Sequence, residues 1–501
     1  MGDALKELRA IIADVAALQA ADAILGWDQE TYMPPGGAEA RARHRSALAR
    51  MSHERFASPR VGELLEALRE REGSQPDPED LDAQLVRRTR ILYERVRKLP
   101  PRLVEELARA ASLAMDAWRS ARAASDFAPF APHLERLVEL AIEKAQCLGY
   151  RGEVYDALLD EHEPGMTTAE VERVFAGLKE RLVPLVQAVA GAPQVEAGFL
   201  RAAFDPQKQW NFGVEVLQLI GFDLRRGRQD QSAHPFTSGF AHGDVRITTR
   251  IQPNDWAAGF FATLHEAGHG IHFQGIPADF YDTPLYWDQS LAVCESQSRL
   301  WENVVGRSRG FWEFLFPRLK AAFPEPLAGV DLEGFYRAIN RVEPSFIRVE
   351  ADELTYNLHI FVRFDLEREL VSRRLAVRDL PGAWRDKMKE YLGIAPERDA
   401  DGVLQDIHWS MGSFGYFPTY TLGNVLSVQY YEQAVRERPE IPEEIRRGRF
   451  AALRTWSQER IHRWGAIFNA AELTRRVTGG PLDSGPYVRY LEQKYRDIYR
   501  L

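Results

Sequence analysis

The amino-acid sequence predicts a mainly α-helical fold with one small β-sheet. Apolar residues recur every three or four positions through most of the 501 residues, which is the spacing of amphipathic helices. One segment, residues 235–251, instead alternates between apolar and polar side chains, as a half-buried strand does. The Gly- and Pro-rich breaks between periodic segments are short turns rather than long linkers. We therefore expect a single domain that spans residues 1–501.

Apolar spacing and start signals locate individual helices. The clearest periodicity covers residues 107–124, 171–183 and 354–370. Residues 77–80, Asp-Pro-Glu-Asp, offer an N-cap followed by a proline for the first helical turn. Residues 167–170, Thr-Thr-Ala-Glu, form a capping box. The Arg- and His-rich residues 41–60 have Ala, Leu and Met between the charges, which favours a solvated helix face over an anion-binding surface.

The alternating segment predicts a β-hairpin with its turn at Gly243-Asp244 and its second strand at residues 245–251. The side chains that share one face of this strand are Val245, Ile247, Thr249 and Ile251. A lone hairpin is only marginally stable in water, so the small sheet should pack against helices.

The composition excludes several classes of protein. Asp and Glu total 73 and Lys and Arg total 64, a net charge of −9 without the basic excess of a nucleic-acid-binding protein. Residues 1–25 carry four acidic side chains where a signal peptide needs an apolar core, and no uncharged apolar stretch is long enough to span a bilayer. Two cysteines, Cys147 and Cys294, cannot form a disulfide framework. We expect a cytoplasmic protein without nucleic-acid or membrane partners.

The motif His265-Glu266-Ala267-Gly268-His269 predicts a metal site. Residues four apart share one face of a helix, so both imidazoles can reach one ion, and Glu266 can hold a metal-bound water as general base. Apolar residues 256–264, a cap at Asn254 or Asp255, and a break at residues 275–277 place the motif on a helix. Two glycines, Gly268 and Gly270, suggest that another element approaches this helix closely. The simpler alternative is two histidines that only pack within the helix.

Two histidines leave a tetrahedral zinc ion short of a protein ligand. His272 lies about 10 Å along the helix axis from His265, too far to share the ion. A carboxylate on a following segment should complete the site, and the candidates are Asp279, Asp282, Asp288, Glu295 and Glu302. Glu295 is favoured because a carboxylate within a semi-apolar helix needs a partner. Glu302, about two helical turns later, remains the alternative.

Five short segments occur in the order in which they occur in the carboxypeptidase Taq family of thermostable zinc metallocarboxypeptidases. They are Asp244-Val245-Arg246-Ile247-Thr248, His265-Glu266-Ala267-Gly268-His269, Glu295-Ser296-Gln297, Ile347-Arg348-Val349-Glu350-Ala351-Asp352 and Gly402-Val403-Leu404-Gln405-Asp406-Ile407-His408-Trp409. Residues 27–34 are similar to the same family, so the resemblance extends from residue 27 to beyond 409. One departure is Cys294, where the family commonly has His before the ligand Glu.

The resemblance implies a helical fold around a long, deep groove, with the small sheet beside the motif helix. It implies that the whole chain is one catalytic domain that hydrolyses single C-terminal residues from peptides with a free C-terminus. It also implies one Zn²⁺ per chain, for which Co²⁺ can substitute, and a homodimer. His265, His269 and Glu295 would bind the metal, with Glu266 activating a zinc-bound water.

Two groups of residues are expected to contact the substrate: rings in the segment that begins at residue 408, and two arginines. His408 and Tyr420 would donate to the carbonyl oxyanion, and Tyr416 would contact the substrate; the alternative is that these rings fill the core. A bidentate arginine would hold the terminal carboxylate, and Arg348 ranks before Arg246.

Neighbouring polar residues have competing interpretations. An ion pair with Asp352 is the alternative for Arg348, and a paired or exposed strand residue is the alternative for Arg246. Asp244 is expected to orient its neighbours. Gln405 and Asp406 are either partners of a zinc histidine or caps of their loop.

The leading functional hypothesis is therefore a zinc-dependent metallocarboxypeptidase. An oligoendopeptidase or dipeptidyl carboxypeptidase of the same zinc chemistry is an alternative. A helical peptide-binding protein with an inactive metal motif is the alternative from a different class.

Overall fold

The chain folds mainly into α-helices, as its apolar spacing predicts, in a computed structural model that describes residues 2–73, 76–286 and 290–501. The helices that precede the sheet are α1 Gly2–Thr31, α2 Ala38–Phe56, α3 Pro59–Ala67, α4 Arg69–Glu72, α5 Leu81–Lys98, α6 Pro101–Ala124, α7 Ala131–Leu148, α8 Val154–Leu159, α9 Thr168–Gly191 and α10 Pro206–Ile220.

The helices that follow the sheet carry most of the residues with predicted chemistry. They are α11 Trp256–Gly275, α12 Leu291–Arg299, α13 Arg309–Ala322, α14 Leu332–Ile339, α15 Tyr356–Val371, α16 Leu380–Leu392, α17 Pro418–Glu437, α18 Ile441–Arg446, α19 Ala451–Arg460, α20 Ala470–Thr478 and α21 Gly485–Tyr499. A π-helical segment, Leu300–Val305, continues directly from α12. None of the helices in the described ranges combines the length and the apolar character that a membrane span requires.

The predicted start signals lie at or near observed helix ends. Thr167 and Glu170 form the expected capping box at the start of α9. Helix α5 begins later than the signal at residues 77–80 suggests, because Asp80 rather than Asp77 caps it by accepting from the backbone N–H of Ala83. Asp77 instead caps the preceding turn, where its side chain accepts from the backbone N–H of Glu79.

The sheet has three strands, β1 Gly227–Gln231, β2 Thr237–Ala241 and β3 Asp244–Thr249, in the order β1-β3-β2. Strands β2 and β3 form the predicted antiparallel hairpin, although β3 ends two residues earlier than expected. Strand β1 pairs with β3 in parallel and was not predicted. Its sequence, Gly-Arg-Gln-Asp-Gln, contains no apolar side chain and so carries no strand signal.

The sheet packs against α11 through β2 and β3, which confirms the expectation of a small sheet beside the motif helix. Gly270 allows this contact: a Cβ atom there would lie 2.6 Å from the ring of Phe222 and 3.2 Å from the Ile247 side chain. Gly268 allows a second contact, because its Cβ would lie 2.5 Å from the backbone oxygen of Gln297 on α12. Helix α11 is therefore fixed between the sheet and α12.

The arginine-rich helix α2 packs along α1 with its charges paired. Arg45 donates to Asp22 over 2.8 Å, and Arg41 donates to Asp28 over 2.6 Å. These contacts agree with the solvated helix face expected for residues 41–60.

Helices α15 and α17 pass through the interior. Nearly all of their first three turns are buried, which explains why apolar side chains occur on every face. Helix α17 packs along α12, and α12 packs on α11, so the interior helices support the segment that carries Glu295.

Candidate metal centre

Helices α11 and α12 bring together the three predicted metal ligands. Nε2 of His265 lies 3.8 Å from Oε2 of Glu295, and Nε2 of His269 lies 3.6 Å from the same oxygen. All three donor atoms lie within 4.8 Å of one another. Donors about 2.0–2.2 Å from a tetrahedral zinc ion are separated from each other by roughly 3.3–3.6 Å. The donor set therefore fits one such ion after only small adjustments.

Each ligand is oriented by a hydrogen bond on the side away from this cluster. Nδ1 of His265 contacts Oε2 of Glu302 at 2.8 Å. Nδ1 of His269 lies 3.3 Å from Sγ of Cys294. Arg299 donates from Nε to Oε1 of Glu295 over 2.6 Å, which leaves Oε2 facing the histidines. Such outer partners fix ligand geometry in metal sites.

Glu302 is placed behind His265 rather than beside the other two donors. It lies on the π-helical segment Leu300–Val305, whose wider turn is uncommon and often occurs at functional sites. Two other candidates, Asp279 and Asp282, lie in the segment between α11 and α12 and outside the three-residue cluster. Asp288 lies outside the described residues.

Arg299 joins the two glutamates electrostatically. Burial opposes ionisation of both carboxyls, but the Arg299 charge outweighs it, with a contribution from His265. The pKa of Glu295 is thereby held well below its usual range, and that of Glu302 falls to about 2. A second guanidinium, that of Arg307, lies 3.9 Å from Oε1 of Glu302. The ionised carboxylate of Glu295 faces the two imidazoles and favours binding of a cation.

Glu266 lies beside the two histidines and is buried, with 6% of its surface exposed. Oε2 of Glu266 accepts a hydrogen bond of 2.6 Å from Oγ1 of Thr237, the first residue of the edge strand β2. No local pattern in the sequence singles out Thr237, because a threonine at the start of a strand is common.

The three predicted ring residues lie together, His408 and Tyr416 in the loop before α17 and Tyr420 in the first turn of that helix. Nε2 of His408 lies 3.3 Å from the hydroxyl of Tyr420. The ring of Tyr416 packs at 5.4 Å from that of Tyr420 and 5.3 Å from that of His408. Burial, followed by the charge of Glu295, raises the pKa of Tyr416 to about 12. The tyrosines are therefore close enough to the metal centre to sense its charge.

Burial also decides the protonation state of His408. The pKa of its imidazole falls to about 4, because burial and two arginines outweigh the attraction of Asp406. The ring is consequently neutral at pH 7, with one N–H donor.

Arg348 is buried and held by partners other than Asp352, the partner considered as the alternative to substrate binding. Its Nε and Nη2 donate to Oδ1 of Asp406 over 3.1 and 2.7 Å, and its Nη1 donates to the Tyr356 hydroxyl over 2.8 Å. The alternative pairing with Asp352 assumed helical spacing. The chain instead forms a short 3-10 turn, Arg348–Glu350, after which Asp352 accepts from the backbone N–H of Thr355.

Asp406 binds arginines rather than a zinc histidine. Gln405 accepts from an arginine and also caps its own loop, because its amide donates to the backbone oxygen of Asp401 over 3.0 Å. Asp406 also accepts from Nε of Arg363 over 2.7 Å, and Gln405 accepts from Nη2 of Arg363 over 2.8 Å. Two buried guanidiniums therefore share one carboxylate, which leaves one net positive charge. The guanidinium of Arg348 lies 5.0 Å from the centre of the Tyr420 ring, so this charge is next to the ring residues.

Arg246 on β3 is held by a bidentate ion pair with Asp244, with both contacts at 2.8 Å. Its guanidinium lies between the rings of Trp27 and Phe240, at 4.4 and 5.0 Å from their centres. Asp244 therefore orients Arg246, as expected, and Trp27 from the N-terminal motif contacts the same side chain.

Comparisons with known proteins cover nearly the whole chain. The profile of the carboxypeptidase Taq (M32) metallopeptidase family matches residues 7–495. The chain is 45% identical over 498 residues to thermostable carboxypeptidase 1 of Thermus thermophilus, covering 97% of each chain. It is 36% identical over 500 residues to carboxypeptidase 1 of Bacillus subtilis, covering 99% of each.

Solved structures agree with this relationship. The crystal structure of an M32 carboxypeptidase from Deinococcus radiodurans R1 matches with a TM-score of 0.96 and 42% identity, covering 100% of both chains. The resemblance carried by the short motifs is confirmed across the fold. The chain therefore belongs to the carboxypeptidase Taq (M32) family and is a metallocarboxypeptidase.

Proposed function

We propose that this metallocarboxypeptidase uses one Zn²⁺, held by His265, His269 and Glu295, to remove single residues from peptides with a free C-terminus. The observation that carries the proposal is the separation of the donor atoms, 3.6 and 3.8 Å from the shared carboxylate oxygen. Two imidazoles and one carboxylate match the donors that catalytic zinc sites use, and Co²⁺ can occupy similar sites. When bound, zinc lowers the pKa of a coordinated water and polarises the scissile carbonyl.

Glu266 takes the proton of the attacking water and passes it to the leaving amine. Its carboxylate is positioned for this by the Thr237 hydroxyl, at 2.6 Å. Burial of Glu266 keeps bulk water from competing for the same proton.

His408 and Tyr420 stabilise the developing oxyanion by donating hydrogen bonds. A neutral imidazole retains one N–H, and burial keeps the pKa of Tyr420 well above its ordinary value, so its hydroxyl keeps its proton. The two groups contact each other, with Nε2 of His408 3.3 Å from the Tyr420 hydroxyl, so this contact opens when both donate to the oxyanion. Tyr416 packs on both rings and forms part of the substrate-binding wall.

Arg348 binds the terminal carboxylate of the substrate. Three of its five N–H groups are used by Asp406 and Tyr356, which leaves two donors. The net positive charge of Arg348, Arg363 and Asp406 is compensated when a carboxylate binds. Arg246 is the second candidate, because its ion pair with Asp244 already occupies one edge of its guanidinium.

Three broader features complete the proposal: residues 1–501 act as one catalytic domain, two copies associate as a homodimer, and the enzyme works in the cytoplasm. A light-scattering mass of twice that of the chain at low micromolar concentration supports the dimer. A single-chain mass under those conditions contradicts it.

The central experiment is mass spectrometry of a mixed set of peptides after incubation with the enzyme. Successive loss of single C-terminal residues, abolished by a chelator and restored by zinc, supports the proposal. Internal cleavage would indicate an endopeptidase. Glu266→Gln is the matched variant: it should retain zinc and lose about 10²- to 10⁴-fold in turnover.

A further inference from the structure

A buried carboxylate outside the metal centre holds both ends of the loop that carries the ring residues. Glu367 lies on α15 and has none of its surface exposed. Its Oε1 accepts from the indole N–H of Trp409 over 2.8 Å. Its Oε2 accepts from the backbone N–H of Gly415 over 3.1 Å and from the hydroxyl of Tyr155 over 2.7 Å.

These contacts are adjacent in sequence to the residues with proposed roles. Trp409 directly follows His408, and Gly415 directly precedes Tyr416. One side chain therefore holds the segment between the two rings at both ends, through the indole of Trp409 and the backbone amide of Gly415. A buried carboxylate is tolerated only where donors satisfy it, and three donors do so here.

The loop depends on such outside contacts for its shape. Gly412 and Gly415 have φ values of 72° and 80°, in the left-handed region that glycine adopts readily. A Cβ atom at Gly415 would lie 2.5 Å from the backbone of Leu158, so the loop also presses directly on α8. Tyr155, the third donor to Glu367, belongs to the same helix. The loop therefore packs on helices α8 and α15.

We propose that Glu367 is a positioning residue for peptide hydrolysis, which acts through His408 and Tyr416 by holding Trp409 and Gly415. The inference rests on the proposed roles of those two rings. None of the three hydrogen bonds of Glu367 reaches a predicted metal ligand: they go to Tyr155 on α8 and to Trp409 and Gly415 in the loop.

The test is Glu367→Gln, assayed with a peptide that has a free C-terminus. The amide keeps the shape of the side chain, but its NH₂ group must face at least one of the three donors. We expect kcat to fall at least tenfold with an unchanged zinc content and a smaller change in KM. Glu369→Gln is the matched control, because this half-buried residue lies two positions further along α15. It should keep the wild-type rates, and a wild-type kcat for Glu367→Gln would overturn the proposal.

A background that lacks both rings separates positioning from general stabilisation. If Glu367 acts through His408 and Tyr416, then Glu367→Gln should have little further effect on kcat when both residues are already alanine. Losses that multiply in full would show that Glu367 acts independently of both rings and would overturn the proposal.

Amide hydrogen exchange provides a measurement that does not depend on activity. Exchange in residues 408–417 should accelerate in Glu367→Gln while α11 is unchanged. If the wild-type enzyme hydrolyses no peptide, the proposed function fails, but this comparison still decides whether Glu367 holds the loop. Should Glu367→Gln not fold, Trp409→Phe removes one donor and keeps a ring. It should produce a smaller change in the same direction, and unchanged exchange and kcat would overturn the proposal.

Discussion

The hydroxyl of Thr237 donates a hydrogen bond of 2.6 Å to Oε2 of Glu266, which ties the edge of the sheet to the motif helix. The hairpin therefore does more than pack beside α11. Through Thr237, which lies 29 positions earlier in the chain, it orients the carboxylate that we propose as general base.

Replacing Thr237 by Val should lower kcat about tenfold or more and leave zinc content unchanged. Valine keeps the shape of the side chain and removes a hydrogen bond to a charged group, which is worth roughly 1.5–3 kcal/mol. Thr237→Ser retains a hydroxyl and should recover most of the rate. Steady-state kinetics with metal analysis checks both variants, and equal losses for Val and Ser would show that the methyl group rather than the hydroxyl matters.

Replacing His265, His269 or Glu295 by alanine should abolish zinc binding and activity, because each supplies one of the three proposed protein donors. Glu302→Ala should be milder. It leaves the donors in place but frees Nδ1 of His265, and loss of such an outer partner typically costs about 10- to 100-fold in affinity. Zinc titration measures the order of these effects. Full zinc affinity in Glu295→Ala with complete loss in Glu302→Ala would exchange the two roles.

Gly423→Ala should weaken zinc binding without touching a ligand. A Cβ atom at this position of α17 would lie 2.6 Å from Cγ and 2.7 Å from Cβ of Glu295, so the ligand must move. Atoms so close to the backbone have little freedom to shift. Gly177→Ala on α9 is the matched control, since its Cβ would meet nothing within 4 Å. Equal zinc affinity in the two variants would mean that Glu295 is not constrained from this side.

Amidating the C-terminus of a peptide should reduce kcat/KM at least ten- to a hundredfold. Amidation removes the charge and one oxygen that Arg348 is proposed to bind. Arg348→Ala should impair hydrolysis of the free acid by a similar factor and make little further difference to the amide, because both changes delete one interaction. If the acid preference survives in Arg348→Ala and disappears in Arg246→Ala, the carboxylate is bound by Arg246.

Glu367 should make the stability of the fold depend on pH in an identifiable way. Burial raises its pKa from 4.5 to about 7 against the effect of its hydrogen bonds, so the folded chain binds this proton more tightly than the unfolded chain. Its contribution is complete below pH 4.5 and is lost as the pH rises through about 7. The shift corresponds to about 3 kcal/mol over this range.

The measurement compares the melting temperature of wild-type enzyme and Glu367→Gln at pH 5 and pH 7. The wild type should lose stability relative to the variant as the pH rises, and the titration of buried histidines cancels in this difference. Glu369→Gln should follow the wild type. A constant difference between wild type and Glu367→Gln would show that Glu367 stays ionised throughout.

The motif helix could be predicted almost residue by residue because its signals are local. Asp255 caps it, the histidines share one face, and Ile276-Pro277 follows its end. The choice between Glu295 and Glu302 could not be settled by spacing, because it depends on the π-helical turn that places Glu302 behind His265.

The features that could not be predicted from the sequence are mainly contacts between distant segments. Arg348 and Asp406 are 58 residues apart, and nothing in either local sequence indicates that they pair. Strand β1 is polar and depends on parallel pairing with β3, so it too has no local signal. The hydrogen-bond partners of the three predicted ligands likewise depend on how the helices pack together.

The contact between Gly268 and the backbone of Gln297 has a consequence for metal choice. Because α11 and α12 approach so closely at this point, the backbones that carry the proposed donors are held at a short separation. The side chains then have only small adjustments to make, which reduces the entropy lost when an ion binds. A close, nitrogen-rich donor set suits small ions of low coordination number and disfavours Ca²⁺, which seeks six to eight oxygens at longer range.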